Sequence, residues 1–414
     1  MRSKDSAKVC ICNVVSMPLR VRHIVKIFGR SRSPCGKYFP LARMWTTKPI
    51  GYTEIMRFDL NGFRHEVTQF MQGKLATVPW PTTDSASEQY AQFTAPLESF
   101  IASGKRTRAL FLAAGWQTAA PQRLQGSASL PIKAGSAVEF FQAAALVHDD
   151  IIDNASSRRG FDSVHVNFAK RHQAQNLGGS SAHYGLSSAI LLGDFLVSIS
   201  SHIFEKAEAI SLEAHAQARS LFHSMTAEVA FGQFLDNRAQ YTPLDADPTA
   251  LVRNAFAVLL HKSARYSVEV PLLIGATLAG CDDDHRQVLS TVGCPLGEAF
   301  QLRDDVLGVF GDPRVTGKPS GGDLIEGKRT VLIGLALQRA TPAQIQLLQS
   351  VLGTQMDATQ IDTVREIISD SGAYAEHDRL IQEREELAYQ ELERKNLDSP
   401  LLFALLEELA NRTA

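Results

Sequence analysis

The stretch ALVHDDIIDNASSRRG, residues 145 to 160, sets Asp149, Asp150 and Asp153 at the end of an apolar run and follows them with Arg158 and Arg159. On a helix, positions four apart lie ~40° from each other around the axis, so Asp149 and Asp153 share a face with Asp150 beside them. Three oxygen donors at the polar end of a helix suit Mg2+, a hard cation that keeps several waters and takes phosphate oxygens from a substrate. The two arginines supply planar forks that match phosphate geometry. Ordinary ion pairs at a surface helix end are the plain alternative.

A second stretch weakens that alternative. In GEAFQLRDDVLGVFGDPRVTGKPSGGDLIEGKRT, Asp304 and Asp305 again close an apolar helix, with Asp312 just beyond. A loop then carries Gly317, Gly321 and Gly322 among Lys318, Lys328 and Arg329. Glycines permit close backbone approach or lid movement over a ligand. Two acid-plus-base clusters on two helices imply carboxylates facing each other across a cavity, with metal ions and a polyanion between them. The run Asp282 to Asp284 is different. It has no arginines and no buried helix behind it, and reads as a cap with first-turn charge for the next helix.

The elements that must position these residues are helices. From about Arg57 onward, apolar residues recur three and four apart in GSAVEFFQAAALVHDDIID, EAHAQARSLFHSMTAEVAFGQFLD and PTALVRNAFAVLLHKSARYSVEVPLLIGATLAG. Several of these are apolar nearly all round, as helices inside a large bundle are. Strand-like alternation bounded by Asn-Gly or Asp-Gly turns is missing, and breakers such as QNLGGSSAHYG and TPLDADP fall between helices. HDRLIQEREELAYQELERKNL reads as a charge-laced amphipathic helix, most simply with a solvated outer face. The fold class read from this pattern is all-α, with residues 57–414 as one large domain.

Composition narrows the class further. Of 414 residues, 44% are hydrophobic and 21% charged, which fits a globular protein with a sizeable core. A net charge of −2 argues against a broad nucleic-acid surface, and no apolar run approaches bilayer length. A greasy substrate, if there is one, must then be held inside. Cys10, Cys12, Cys35, Cys281 and Cys294 show no paired spacing, so a zinc site or disulfide framework is unsupported and a cytoplasmic setting is the default. Residues 1–56 are basic, with few acids. They read as a targeting segment, a disordered tail, or sequence upstream of a later start at Met44 or Met56, the last being favoured.

With these motifs in order, the chain resembles the trans-type isoprenyl (polyprenyl) diphosphate synthases, bacterial geranylgeranyl diphosphate synthases among them. The likeness runs from GKRTRALFLAAG near residue 104 to GKRTVLIGLAL near 337. It implies a single helical bundle around a central apolar cavity, Mg2+ as cofactor, and a homodimer. It also implies transfer of an allylic diphosphate (dimethylallyl, geranyl or farnesyl) onto isopentenyl diphosphate. Metal ligation would fall to Asp149, Asp150, Asp153, Asp304 and Asp305. Lys105, Arg108 and Arg159 would bind isopentenyl diphosphate, and Arg158 the allylic diphosphate. Lys262, Ser263 and Gln301 would sit at the reacting end, with Lys318 and Lys328 closing over the diphosphate. GQFLD matches a further signature at Gly232, Gln233 and Asp236.

Three departures from the family pattern matter. Gln142 stands where a histidine is usual, so isopentenyl diphosphate binding would use an amide donor. Ser263 replaces a frequent threonine and keeps the hydroxyl. Gly308 replaces the last aspartate of the second motif, which leaves Asp304 and Asp305 there. The resemblance also makes the positions before Asp149 a ruler for the product. Ala144 and Ala145 leave the first level open, while Phe141 and Phe140 close the next, which points to geranylgeranyl diphosphate. Farnesyl or longer products are the nearest alternatives. A terpene cyclase would lack the upstream Gly-Lys-x-x-Arg, and a low-activity partner subunit would tend to lose the aspartates.

Overall fold

The structure is a computed structural model that describes residues 59–102, 104–120, 130–158, 160–244, 247–311, 321–395, 397 and 399–410. The basic segment 1–56, Asp312, Lys318 and Arg159 lie outside the described residues. The first half runs α1 (Leu60–Leu75), α2 (Asp84–Thr94), α3 (Leu97–Ala102), α4 (Thr107–Ala119), α5 (Ile132–Ile152), α6 (Val164–Ala174), α7 (Ser181–Phe204) and α8 (Leu212–Gln240). Then follow α9 (Pro248–Val258), α10 (Val270–Leu278), α11 (Asp283–Phe310), α12 (Gly322–Ile325) and α13 (Val331–Arg339). The chain ends in α14 (Pro342–Val351), α15 (Ala358–Asp370), α16 (Ala373–Arg394) and α17 (Pro400–Ala410). Between α5 and α6, strands Ser157–Arg158 (β1) and Phe161–Asp162 (β2) pair antiparallel as a minimal hairpin.

Local chemistry sets these boundaries. Ser211 opens α8 by accepting the Ala214 N–H, and Thr341 and Asp357 open α14 and α15 through reciprocal capping boxes with Gln344 and Gln360. The acidic run at 282–284 is a helix start, as read from the sequence: Asp282 accepts the His285 N–H at 2.8 Å, and Asp283 and Asp284 fill the first turn of α11.

Helix α5 is buried along most of its length and packs on α7, α4 and α1. Its apolar faces join the larger of two core clusters, with Phe111, Phe140, Phe204 and Phe222 fully enclosed. A second cluster gathers α9, α11, α13, α15 and one face of α16. The C-terminal segment is the amphipathic helix read from the sequence, one side in the core and the other solvated. His377, Ile381, Ala388 and Leu392 are buried, while Arg379 pairs with Glu376 and Glu383 outside.

Helices α9 and α10 are one continuous rod interrupted by a π-helical stretch, Leu259–Glu269. Wide turns of this kind re-aim side chains and recur at functional sites. Lys262, Ser263 and Tyr266 all lie within it.

The expectation of no bilayer-length apolar segment is corrected by α7. Its 24 residues are long and apolar enough to cross a membrane by length and composition alone. Serines, glycines and Asp194 interrupt the apolar run, which hides it from inspection. Leu186, Ile190, Leu191 and Val197 stand exposed on this helix.

Candidate active site

The end of α5 carries the first acidic cluster, and the structure divides its members. Asp150 is buried and faces Arg158 of β1, which donates through Nε at 2.7 Å. Burial pushes the Asp150 carboxyl up, against the pull of Arg158. Asp149 accepts from Arg158 as well, at 3.2 Å, and also faces Lys262, whose Nζ donates to Asp149 Oδ1 at 2.9 Å and to Asp236 Oδ2 at 2.5 Å. Lys328 reaches Asp153 at 3.0 Å. Burial alone would raise Asp149, but Lys262, Lys328 and Arg158 outweigh it and hold this carboxyl well below the usual range.

Carboxylate oxygens of Asp149, Asp153 and Asp236 lie within 4.8 Å of one another, so these three could hold a metal ion. An all-oxygen donor set fits a hard divalent cation. The trio includes Asp236, named in the sequence only as part of the GQFLD signature, and does not include Asp150. The signal was present at Gly232: a Cβ there would lie 2.4 Å from Lys262 N, so only glycine lets α8 touch the π stretch and bring Asp236 to Lys262.

Across the cavity, α11 presents Asp304 and Asp305. Gln301 donates its amide to Asp305 at 3.0 Å. Asp305 is buried, and burial pushes its carboxyl well above the usual range despite that hydrogen bond. Lys328 is driven well above its usual range because Asp323, Asp153, Asp149 and Glu326 outweigh the effect of burial. Glu326, 2.8 Å from Lys328, is a member of this array that no sequence motif indicated.

The GKRTR segment forms the third wall. Lys105 and Arg108 line the cavity. Arg108 lies over the Tyr266 ring at 4.2 Å and donates to Ser267 Oγ at 2.7 Å. Arg106 between them has left-handed backbone, φ 49°, and is buried. It donates to Thr68 at 3.1 Å and to the Ile101 carbonyl, and faces Glu139 at 3.8 Å. From outside, Arg64 donates to the Lys105 carbonyl at 2.9 Å and is itself held by Glu408 at 2.7 Å. The loop is thus strapped to α1, α3, α5 and α17. Tyr266, Arg106 and Arg64 went unread in the sequence because most of their partners lie on other elements, 33 to 344 residues away.

These walls enclose about 510 Å³. Gln142, Ala145, Leu146 and Asp149, one stripe of α5, line it, as do Ser263 and Gln301. Ala144 and Phe140 are fully buried in the core instead, and Phe141 packs edge-on against Tyr266 at 5.6 Å between centroids.

Clustered acids and cations around one cavity in a helical bundle define an enzyme site for a polyanionic substrate. The family model for polyprenyl synthetase matches residues 90–370. A geranylfarnesyl diphosphate synthase from Aeropyrum pernix is 32% identical over 292 residues, 68% of this chain and 81% of its own length. A geranylgeranyl diphosphate synthase from Saccharolobus solfataricus is 31% identical over 261 residues, 62% of this chain and 69% of its own. The solved structure of geranylgeranyl pyrophosphate synthase from Corynebacterium glutamicum, complexed with isoprenyl diphosphate and magnesium, has 35% identity and a TM-score of 0.75. That alignment covers 85% of this chain and 97% of the other. The chain belongs to the polyprenyl synthetase family. It is a prenyltransferase with the all-α isoprenoid synthase fold.

Proposed function

We propose that the protein condenses isopentenyl diphosphate with an allylic diphosphate, with Mg2+ as cofactor and geranylgeranyl diphosphate as product. The observation that carries this reading is the pair of acidic clusters lining one cavity, with Lys262 and Lys328 paired to Asp149 and Asp153 of the first. Bound metal would supply charge neutralisation for the departing diphosphate, held by Asp149, Asp153 and Asp304.

The chain's own residues account for the rest. Arg158, Lys262 and Lys328 receive the allylic diphosphate as its C1–O bond breaks and the electron pair leaves with oxygen. The Ser263 hydroxyl and the Gln301 carbonyl face the allylic cation. Lys318 is assigned by resemblance to the allylic diphosphate. Lys105 and Arg108 hold isopentenyl diphosphate, with Arg159 assigned there by resemblance. Its double bond attacks C1, and the proton lost from its C2 passes to the released diphosphate. Apolar walls exclude the water that would quench the cation.

Product length rests on Ala145 and Leu146, which leave the wall beside Asp149 open, and on Phe141, which backs Tyr266 below. The exposed apolar residues of α7, with Phe231 and Phe234 of α8, support a homodimer. The free thiols Cys281 and Cys294 support a cytoplasmic setting. The test is incubation of purified protein with isopentenyl diphosphate, each allylic primer and Mg2+, products being resolved by chain length. Absence of any condensation product would overturn the reading, and so would a cyclised hydrocarbon. A sedimentation profile showing monomer at assay concentration would overturn the homodimer.

A further inference from the structure

The stretch Leu259–Glu269 is wound in wide turns: at its end the Val270 N–H reaches the carbonyl of Arg265, five residues back instead of four. Pro271, next in the chain, has no N–H with which to close an α-turn. A π register held over eleven residues is uncommon and needs neighbouring elements to keep it. Two helices do so. From α8, Gly232 meets the backbone of His261 and Lys262. From α11, a Cβ on Gly297 would lie 2.3 Å from the Ala264 carbonyl oxygen, and one on Gly293 2.9 Å from Glu269 Cα. Both glycines therefore take the wide backbone at contact distance.

Polar groups grip the face turned away from the cavity. Glu228 stands one turn before Gly232 on α8. Its Oε1 accepts from His261 Nδ1 at 2.8 Å and lies 2.9 Å from Arg265 Nε. Arg265 also reaches Glu269 at 3.5 Å, and the buried Glu269 accepts from Ser290 of α11 at 2.6 Å. Each residue that Glu228 holds is followed directly by one that lines the cavity: His261 by Lys262, and Arg265 by Tyr266. A slip of one residue in register would turn these side chains ~100° about the helix axis. Lys262 would leave Asp149 and Asp236, and Tyr266 would leave Arg108. Glu228, His261 and Arg265 are only half-buried, so their ion pairs add little to stability. What they decide is register.

We propose that Glu228 is a positioning residue for prenyl transfer. By holding His261 and Arg265 from behind, it keeps the π stretch in the register that presents Lys262, Ser263 and Tyr266 to the substrates. The inference rests on the prenyl-transfer reading above for what the register serves, and on the contacts alone for the clamp.

Two measurements on the full chain test it, one with substrates and one without. In steady-state condensation assays Glu228→Ala should lower kcat roughly 10- to 100-fold, the scale of a misplacement of about 1 Å. It should also raise the share of allylic alcohol, formed when water takes the cation in place of the double bond. Glu228→Gln should stay within ~3-fold of wild type, since its carbonyl accepts from Arg265 and its amide donates to the other imidazole tautomer. Adding Arg265→Ala to Glu228→Ala should cost little more, because both changes break one clamp. Without substrate, hydrogen exchange of the 259–269 amides should quicken at least ~10-fold in Glu228→Ala and keep the wild-type rate in Glu228→Gln. Wild-type turnover or wild-type exchange in Glu228→Ala would overturn the assignment, as would a glutamine variant as impaired as the alanine one. Should Glu228→Ala fail to fold, Arg265→Ala carries the same expectations and the same refutations. A wild-type protein that yields no condensation product would overturn the prenyl-transfer reading, and the exchange comparison would still decide the clamp.

Discussion

Tyr266 donates its hydroxyl to Gln142 Oε1 at 2.5 Å. This contact answers what an amide does where relatives usually have a histidine. Gln142 accepts from a residue on the π stretch, and that residue's ring also carries the Arg108 guanidinium. The amide thereby becomes part of the support for Arg108. Tyr266→Phe keeps the ring under Arg108 and removes only the hydrogen bond, a loss of about 1 kcal/mol for a neutral pair. The expected outcome is a KM for isopentenyl diphosphate raised roughly 3- to 10-fold with kcat nearly unchanged. An unaltered KM in steady-state kinetics would remove Gln142 from the site.

Asp149 and Asp150, adjacent in sequence, should behave differently. Asp149 faces Lys262 and belongs to the trio able to hold an ion. Asp149→Ala should cut turnover at least ~100-fold, the scale of one major electrostatic element, and blunt the thermal stabilisation given by Mg2+ with diphosphate. Asp150 is buried against Arg158. Asp150→Asn should leave that Mg2+ response largely intact while destabilising the fold by about 2 kcal/mol, because Arg158 loses the nearer of its two carboxylate partners and keeps Asp149 at 3.2 Å. Chemical denaturation of both variants, with and without ligand, separates the two roles. Equal loss of metal response in both would contradict the division.

Much of this site was legible in the sequence, and the reason is local. Asp149 and Asp153 share a face because a helix has a fixed period, and Arg158 follows within the same turn and hairpin. Lys105 and Arg108 were readable only through the resemblance of GKRTR to a family motif. What escaped was whatever depends on one element touching another. Asp236 joins the trio through the close approach at Gly232, and Asp323 reaches α11 through the space at Gly308. The π stretch could not be anticipated, since its apolar spacing differs little from that of an α-helix. The burial of His377 followed the same rule: a charge-rich helix conceals which of its faces the core will take.

His377 makes a pH prediction. It is fully buried, neither ring nitrogen has a hydrogen-bond partner, and burial pushes it down to about 4. In the unfolded chain the ring titrates near 6.5. A folded value below the unfolded one gives stability that is present above pH 6.5 and is lost as pH falls through the window from 6.5 to 4. The whole loss is about 3 kcal/mol, and about 2 kcal/mol of it is incurred by pH 5. His377→Leu should therefore flatten stability between pH 7.5 and pH 5 in urea unfolding. An equal acid dependence in wild type and variant would show that His377 is charged in the fold.

The product ruler can be tested at positions chosen from the structure. Ala145 lines the cavity one turn from Asp149, whereas Ala144 is enclosed in the core. Ala145→Phe should place a ring in the path of the growing chain and shift the product to fifteen carbons. A ring at 144 would also overpack the core, at about 1–3 kcal/mol, so a shortened product there has to be judged beside a measured loss of stability. Phe141 works at one remove. It packs edge-on against Tyr266, and the Tyr266 ring lines the cavity. Phe141→Ala removes that backing and should let the ring retreat, opening room for one further prenyl unit, roughly the ~5 Å of a helical turn. Tyr266→Phe, which keeps the ring, should leave length unchanged even while it alters the KM for isopentenyl diphosphate. Chromatography of dephosphorylated products distinguishes these cases. If Ala145→Phe and Phe141→Ala both give the wild-type distribution, α5 does not set the length and the floor lies on another helix.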